Sequence, residues 1–105
     1  MERSGGQRGK AGLIQRHVWV SGTVQGVGFR ASALKAARQF ESLHGFVRNL
    51  SDGRVEAIFA GQEPEVLKMV AWCKAGPSTA QVTRIEVKEE DFDPSLRPFE
   101  LLRSV

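Results

Sequence analysis

The chain has 105 residues, which fits one domain of the usual ~100–200 residues, and its 41% hydrophobic content is too high for a chain that is disordered throughout. Its single cysteine, Cys73, excludes an internal disulfide and a zinc site made of several thiolates. The formal net charge of +3 raises the question of a nucleic-acid or other anionic partner. No run approaches the ~20 apolar residues of a membrane span and none near the N-terminus predicts a signal peptide, so we expect a cytoplasmic protein with no membrane partner.

The positive charge is concentrated at the N-terminus. Residues 1–16 contain four basic residues and one acidic residue, whereas the other 89 residues contain 11 of each. Residues 1–12 are rich in glycine and have almost no large apolar side chains, so they cannot offset the entropy lost on ordering. We therefore predict a flexible basic tail over residues 1–15 and a folded, neutral domain over residues 16–105. The neutral domain argues against a nucleic-acid partner.

Two hydrophobic periods alternate through the rest of the chain. Val18 and Val20 alternate with other side chains, which predicts a strand before residues 22–28. Residues 30–42 have apolar side chains at helical spacing and predict an amphipathic helix. Its apolar positions are Ala33, Leu34, Ala37 and Phe40.

A hairpin and a second helix are predicted next. Residues 45–50 and 54–60 are short strand-like runs, and the Asp-Gly pair between them is a strong turn signal because such turns need positive φ. Pro64 suits the first turn of a helix, whose apolar residues continue at helical spacing until Gly76 ends it.

Two further strands complete the pattern. Residues 82–89 predict a fourth strand, and residues 99–102 predict a short final strand after a turn-rich segment. The order βαββαβ with one extra terminal strand is typical of the split βαβ, ferredoxin-like arrangement. We therefore predict an α+β fold in which two helices pack on one face of an antiparallel sheet.

The chemical information lies in the segment between the first strand and the first helix, Gly22-Thr23-Val24-Gln25-Gly26-Val27-Gly28-Phe29-Arg30. Closely spaced glycines allow successive N–H groups to turn inward as an anion-binding nest, and the helix N-terminus adds unpaired donors. Arg30 adds a planar guanidinium that can hold two phosphoryl oxygens. The segment has neither the Gly-Lys-Ser/Thr of a Walker loop nor the third glycine of a dinucleotide fingerprint. On these residues alone, an anion site and a structural glycine-rich turn are equal alternatives.

This string closely resembles the signature of the acylphosphatase family. Downstream, Gly45-Phe46-Val47-Arg48-Asn49-Leu50-Ser51-Asp52-Gly53 resembles the second motif of that family. The resemblance extends over about residues 16–103 and implies an enzyme that hydrolyses the carboxyl–phosphate bond of acyl phosphates. It implies no metal and no cofactor; the expected ligands are a small acyl phosphate and inorganic phosphate or a similar anion.

The resemblance also assigns roles to residues. It implies that Arg30 binds the phosphoryl group and that Asn49 orients the attacking water. The implied phosphate loop, in which the backbone amides are donors, consists of Gln25, Gly26, Val27, Gly28, Phe29 and Arg30. The sequence departs from the family pattern at residues 40–43 and at Ala31 and Ser32, and these departures bear on the geometry around the site. We expect the enzyme to be a monomer.

Other conspicuous residues are assigned structural roles. His17 and His44 are too few for a metal site, and Cys73 is expected to be a small buried hydrophobe in a helix. Trp19 and Trp72 are expected to pack in the core or on a sheet face.

Two other functions stay open. A phosphate- or acyl-phosphate-binding regulatory domain that hydrolyses nothing ranks second. A ferredoxin-like RNA-binding module is a remote alternative, since residues 45–47 only faintly resemble the aromatic string of such modules.

Overall fold

The computed structural model of the chain describes residues 12–105. It has the predicted order of strands and helices, which confirms the α+β, ferredoxin-like prediction. The elements are β1 (Leu13–Thr23), α1 (Phe29–Ala37), β2 (His44–Asn49), β3 (Val55–Gln62), α2 (Glu63–Ala75), β4 (Gln81–Glu90) and β5 (Glu100–Leu101).

The sheet has the strand order β4-β1-β3-β2-β5. The four long strands are antiparallel to their neighbours, as predicted, but β5 pairs in parallel with β2. The predicted antiparallel sheet is therefore confirmed for these four strands, and the short terminal strand, whose direction the sequence did not predict, makes the sheet mixed. The chain between β4 and β5 crosses to the opposite edge of the sheet, and β5 then starts from the same end as β2 and runs in the same direction.

Both helices pack on one face of this sheet. Because strand side chains alternate between faces, Val18 and Val20 of β1 point to the same side as Ala57 and Val55, which lie opposite them on β3. The helices complete this core with Phe29, Ala33, Ala37, Val66, Met69, Val70 and Cys73. The core therefore fixes the first turn of α1, and with it the preceding loop, against the end of β1.

The tryptophans and the cysteine have the structural roles that were predicted. Trp72 packs edge-on against Phe29 with 5.2 Å between ring centroids, and Trp19 stacks on His17 on the open face of the sheet. Cys73 is fully buried, and burial raises the pKa of its thiol to about 12. It is a small apolar residue of the core.

The first strand begins earlier than predicted. Residues 13–15 pair with β3, and Gln15, only 5% exposed, donates a hydrogen bond to Glu90 (3.0 Å) and accepts one from the N–H of Asp93 (2.8 Å). The predicted boundary of the tail at residue 15 is therefore wrong, because these three residues are part of the sheet. The predicted tail over residues 1–11 lies outside the described residues.

The first helix ends at Ala37 rather than at residue 42. The N–H of Phe40 donates to the carbonyl of Ala37 (3.0 Å), and the N–H of Leu43 donates to that of Phe40 (3.4 Å). These tight turns replace the last predicted helical turn. They bring Leu43, which is 2% exposed, into the core and lead directly into β2.

A network of charged side chains covers the open face of the sheet. The ring nitrogens of His17 each lie 2.7 Å from a carboxylate, Nε2 from Glu56 and Nδ1 from Glu90. Arg48 donates from Nε to the other oxygen of Glu56 (2.6 Å). Partial burial raises the pKa of Glu56, but the hydrogen bonds from Arg48 and His17 outweigh it and hold the pKa below its usual value. His17 is thus a structural residue of this face.

Replacing Glu56 with glutamine should change how stability depends on pH. Since folding lowers the pKa of Glu56, ionisation of this group stabilises the native state above the unfolded pKa of about 4.3, and the contribution is lost as the pH falls through the lower native pKa. We expect Glu56→Gln to lower the free energy of unfolding by about 1–3 kcal/mol at pH 7. The difference from the wild type should shrink below about pH 4. Urea unfolding at several pH values measures both effects.

Glu89→Gln is the matched control for this prediction. The side chain of Glu89 is 82% exposed, and its ion pair with Arg16 spans 3.7 Å, so its removal should change stability little at any pH. Parallel pH profiles for the wild type and Glu56→Gln would show that the network contributes nothing through ionisation of Glu56.

Candidate functional site

A small cavity of about 170 Å³ lies where the loop between β1 and α1 meets the end of β2. It brings together Arg30 and Asn49, which are 19 residues apart in the sequence. The residues that line it are Val24, Gly26, Gly28, Phe29, Arg30, Ala31, Asn49 and Leu101. Four of the six predicted loop residues are among them. Gln25 and Val27 are not.

Two glycines give the loop its shape. Gly26 and Gly28 have φ of 76° and 78°, a left-handed conformation that side chains with a Cβ rarely adopt. A Cβ at either position would meet no protein atom within 4 Å, so the space beside both residues is open. The loop can therefore present its backbone directly to a ligand.

The N-terminus of α1 points unpaired donors at the same region. Gly28 is the N-cap and offers no side chain to the first turn, although its carbonyl accepts the N–H of Ser32 (3.0 Å). Within the described part of the chain, the N–H groups of residues 26–31 donate no hydrogen bond to protein. Free N–H groups at the positive end of a helix dipole favour an anion.

Arg30 is anchored by the residue that follows the last strand of the sheet. Its Nη1 donates to the carbonyl of Leu102 (2.9 Å), just after β5. Among residues 12–105, no carboxylate lies within 4.0 Å of this guanidinium. Its positive charge is therefore not neutralised by these residues, and its other N–H groups can bind an anion.

Asn49 is the last residue of β2. Val47, two residues earlier, is buried on the helix side of the sheet, and the alternation of side chains places Asn49 on the same side, toward the loop. Its backbone carbonyl accepts the N–H of Val105 (3.0 Å). Its carboxamide makes no hydrogen bond with any residue of the described part, so it can both donate to and accept from a bound molecule.

The two loop residues that do not line the cavity hold the loop in place. The side chain of Gln25 turns toward the β2–β3 connection and donates to two carbonyls there. The carbonyl of Val27 accepts the hydroxyl of Thr79 (2.7 Å), which lies between α2 and β4. Ala31, where the sequence departs from the family pattern, lines the cavity. Sequence reasoning did not assign Thr79, Val24 or Leu101 to the site, because the roles of Thr79 and Leu101 depend on contacts between distant segments.

Two further properties concern the described residues only. In the range 12–105, no three His, Cys, Asp or Glu side chains form a group that could hold a metal ion. No helix in this range is long and apolar enough to cross a membrane.

Known proteins resemble this chain over most of its length. The family model described as Acylphosphatase matches residues 16–101. An acylphosphatase of Chloroflexus aurantiacus is 54% identical over 79 residues, which are 75% of this chain and 85% of that protein. One of Trichormus variabilis is 52% identical over 93 residues, covering 89% of this chain and 90% of the other.

Solved structures resemble the fold as well. An acylphosphatase from Coxiella burnetii is 35% identical, with a TM-score of 0.78, over 89% of this chain and 96% of the other. Full-length HypF in its phosphate- and nucleotide-bound form is 26% identical, with a TM-score of 0.76, but the match covers only 12% of that longer chain. The match therefore spans nearly all of the Coxiella burnetii protein and a small part of HypF.

Proposed function

The chain belongs to the acylphosphatase family, and we propose that Arg30, Asn49 and the backbone of residues 25–29 carry out the hydrolysis of acyl phosphates in it. The hydrolytic activity itself follows from membership, since relatives of matching length are acylphosphatases. The reaction breaks the bond between phosphorus and the carboxyl oxygen, and gives a carboxylate and inorganic phosphate.

One observation carries the assignment of residues. Arg30 and Asn49 come from different elements, yet both line the cavity beside the unpaired N–H groups of the loop. A guanidinium can hold two phosphoryl oxygens at once, while backbone N–H groups hold others. A carboxamide can orient a water molecule by accepting and donating hydrogen bonds.

The chemistry requires little beyond these groups. Phosphoryl transfer passes through a loose transition state, so the protein mainly positions the reactants and stabilises charge. Asn49 holds the water in line with the bond that breaks, and Arg30 with the loop amides stabilises the phosphoryl oxygens. The carboxylate leaves without a strong general acid, because it is already a good leaving group. A reaction without a general acid is consistent with this cavity, because none of the described residues that line it is a His, Asp, Glu or Cys.

Isotope labelling tests the proposed attack on phosphorus. The protein is incubated with benzoyl phosphate in water labelled with heavy oxygen, in the presence of EDTA. We expect the label to appear in inorganic phosphate and not in benzoate, and p-nitrophenyl phosphate, whose leaving group is poorer, to be hydrolysed much more slowly. Label in benzoate would show attack on the carbonyl carbon. Binding of the acyl phosphate without release of phosphate would support the regulatory-domain alternative.

The monomeric state of the enzyme stays a prediction from the sequence. The cytoplasmic location stays a prediction from the sequence.

A further inference from the structure

We propose that the side chain of Gln25 is a positioning residue, which holds Asn49 at a fixed distance and angle from the phosphate loop. This inference rests on the proposed roles of Asn49 and Arg30. It concerns the carboxamide of Gln25, whereas the phosphate site would use only its backbone.

The carboxamide of Gln25 joins the loop to the chain directly after Asn49. Its Nε2 donates to the carbonyl of Leu50 (2.7 Å) and to that of Arg54 (2.9 Å). Both partners are carbonyl oxygens, so only the amino group of the carboxamide fits here, and both of its N–H bonds are used. Since Leu50 follows Asn49, the contact acts one residue away from the proposed water-binding group.

The sheet itself does not join these two segments. In the strand order, β3 lies between β1, which leads into the loop, and β2, which ends at Asn49. No ladder of hydrogen bonds therefore sets the distance between the loop and the end of β2. The side chain of Gln25 spans this gap. Its two partners, Leu50 and Arg54, lie 25 and 29 positions further along the sequence.

The turn to which Gln25 donates its hydrogen bonds is already ordered by hydrogen bonds of its own. The N–H of Leu50 donates to the carbonyl of Arg54 (2.8 Å), and the N–H of Gly53 donates to that of Leu50 (3.2 Å). Removal of the Gln25 amide should therefore leave the β2–β3 hairpin intact, but the hairpin could then shift relative to the loop. In-line attack is sensitive to such a shift, because a misplacement of about 1 Å can reduce the rate about 10²-fold.

Thr79 provides a matched control. Its hydroxyl donates to the carbonyl of Val27 (2.7 Å) and tethers the same loop, but to the connection between α2 and β4. It has no contact of this kind with the strand that carries Asn49. Loss of the Thr79 tether should disturb the loop without specifically disturbing Asn49.

A double-mutant cycle tests the proposal. Gln25→Met and Thr79→Val are each made alone and together with Asn49→Ala, and kcat, KM for benzoyl phosphate and Ki for inorganic phosphate are measured. We expect Gln25→Met to lower kcat by about 10- to 10²-fold while Ki changes by less than about threefold. In the Asn49→Ala background the same change should lower kcat by less than about threefold. Any effect of Thr79→Val should be equal in both backgrounds.

Other outcomes overturn the proposal. An unchanged kcat for Gln25→Met, or an equal loss in both backgrounds, would show that Gln25 does not act through Asn49. A rise in Ki that matches the loss in kcat would show that it supports phosphate binding instead. If Asn49→Ala alone keeps the wild-type kcat, the proposed role of Asn49 is wrong. This result distinguishes a failure of the Asn49 proposal from a failure of the Gln25 proposal alone. Thermal unfolding checks that each variant is folded, and Gln25→Asn, whose amide is one methylene short, replaces Gln25→Met if that variant is not.

Discussion

Replacing Arg30 with alanine should lower kcat/KM for an acyl phosphate by about 10³-fold or more, as arginines that stabilise phosphoryl transfer commonly do. The substitution removes the one cationic side chain that lines the cavity in the described chain. It should also raise Ki for inorganic phosphate, because in the proposed site the guanidinium would bind the same oxygens in the ground state. Steady-state kinetics with benzoyl phosphate and inhibition by phosphate measure both effects.

Two other variants separate the role of Arg30 from simple charge. Arg38→Ala removes the same charge from the exposed end of α1 and should leave kcat/KM within about twofold of the wild type. Arg30→Lys keeps the charge but lacks the planar fork, so it should retain only a small part of the activity. Equal losses for the alanine variants of Arg30 and Arg38 would mean that net charge, and not a contact at the cavity, drives the effect.

The loop and its arginine were predictable because their signals are local. Gly26 and Gly28, both at positive φ, lie within the same stretch of nine residues as Arg30, and the helix that follows begins where the hydrophobic period changes. Asn49 could be assigned only through the family motif. Its position at a strand end says nothing by itself about which loop it faces.

The features that sequence reasoning missed depend on distant contacts. The parallel pairing of β5 with β2 follows from how the chain crosses the sheet, and residues 91–99 contain no signal for that path. The early start of β1 depends on Gln15, a polar residue that is buried only because Glu90 and Asp93 satisfy its carboxamide. A hydrophobic pattern does not predict that such a residue is buried, because its burial depends on partners that lie more than 70 positions away.

Replacing Asn49 with alanine should lower kcat by about 10²- to 10³-fold, by analogy with the loss of a single hydrogen-bonding group that acts on the transition state. The carboxamide would orient the attacking water, which is not needed to bind the phosphoryl group. Ki for inorganic phosphate should therefore stay within about threefold of the wild type, in contrast to Arg30→Ala. Single-turnover kinetics with benzoyl phosphate measure the chemical step directly.

The Asn49 prediction rests on the carboxamide, because alanine keeps the backbone carbonyl that accepts the N–H of Val105. Asn49→Asp has nearly the same shape but no N–H donor, and it adds a negative charge beside the anion. It should lose at least as much activity as alanine and, unlike alanine, should weaken phosphate binding. Gln39→Ala removes an exposed carboxamide beyond the end of α1 and should change neither constant. If Asn49→Ala raised Ki as much as it lowered kcat, Asn49 would bind the phosphoryl group, and the water would have to be oriented by the loop amides.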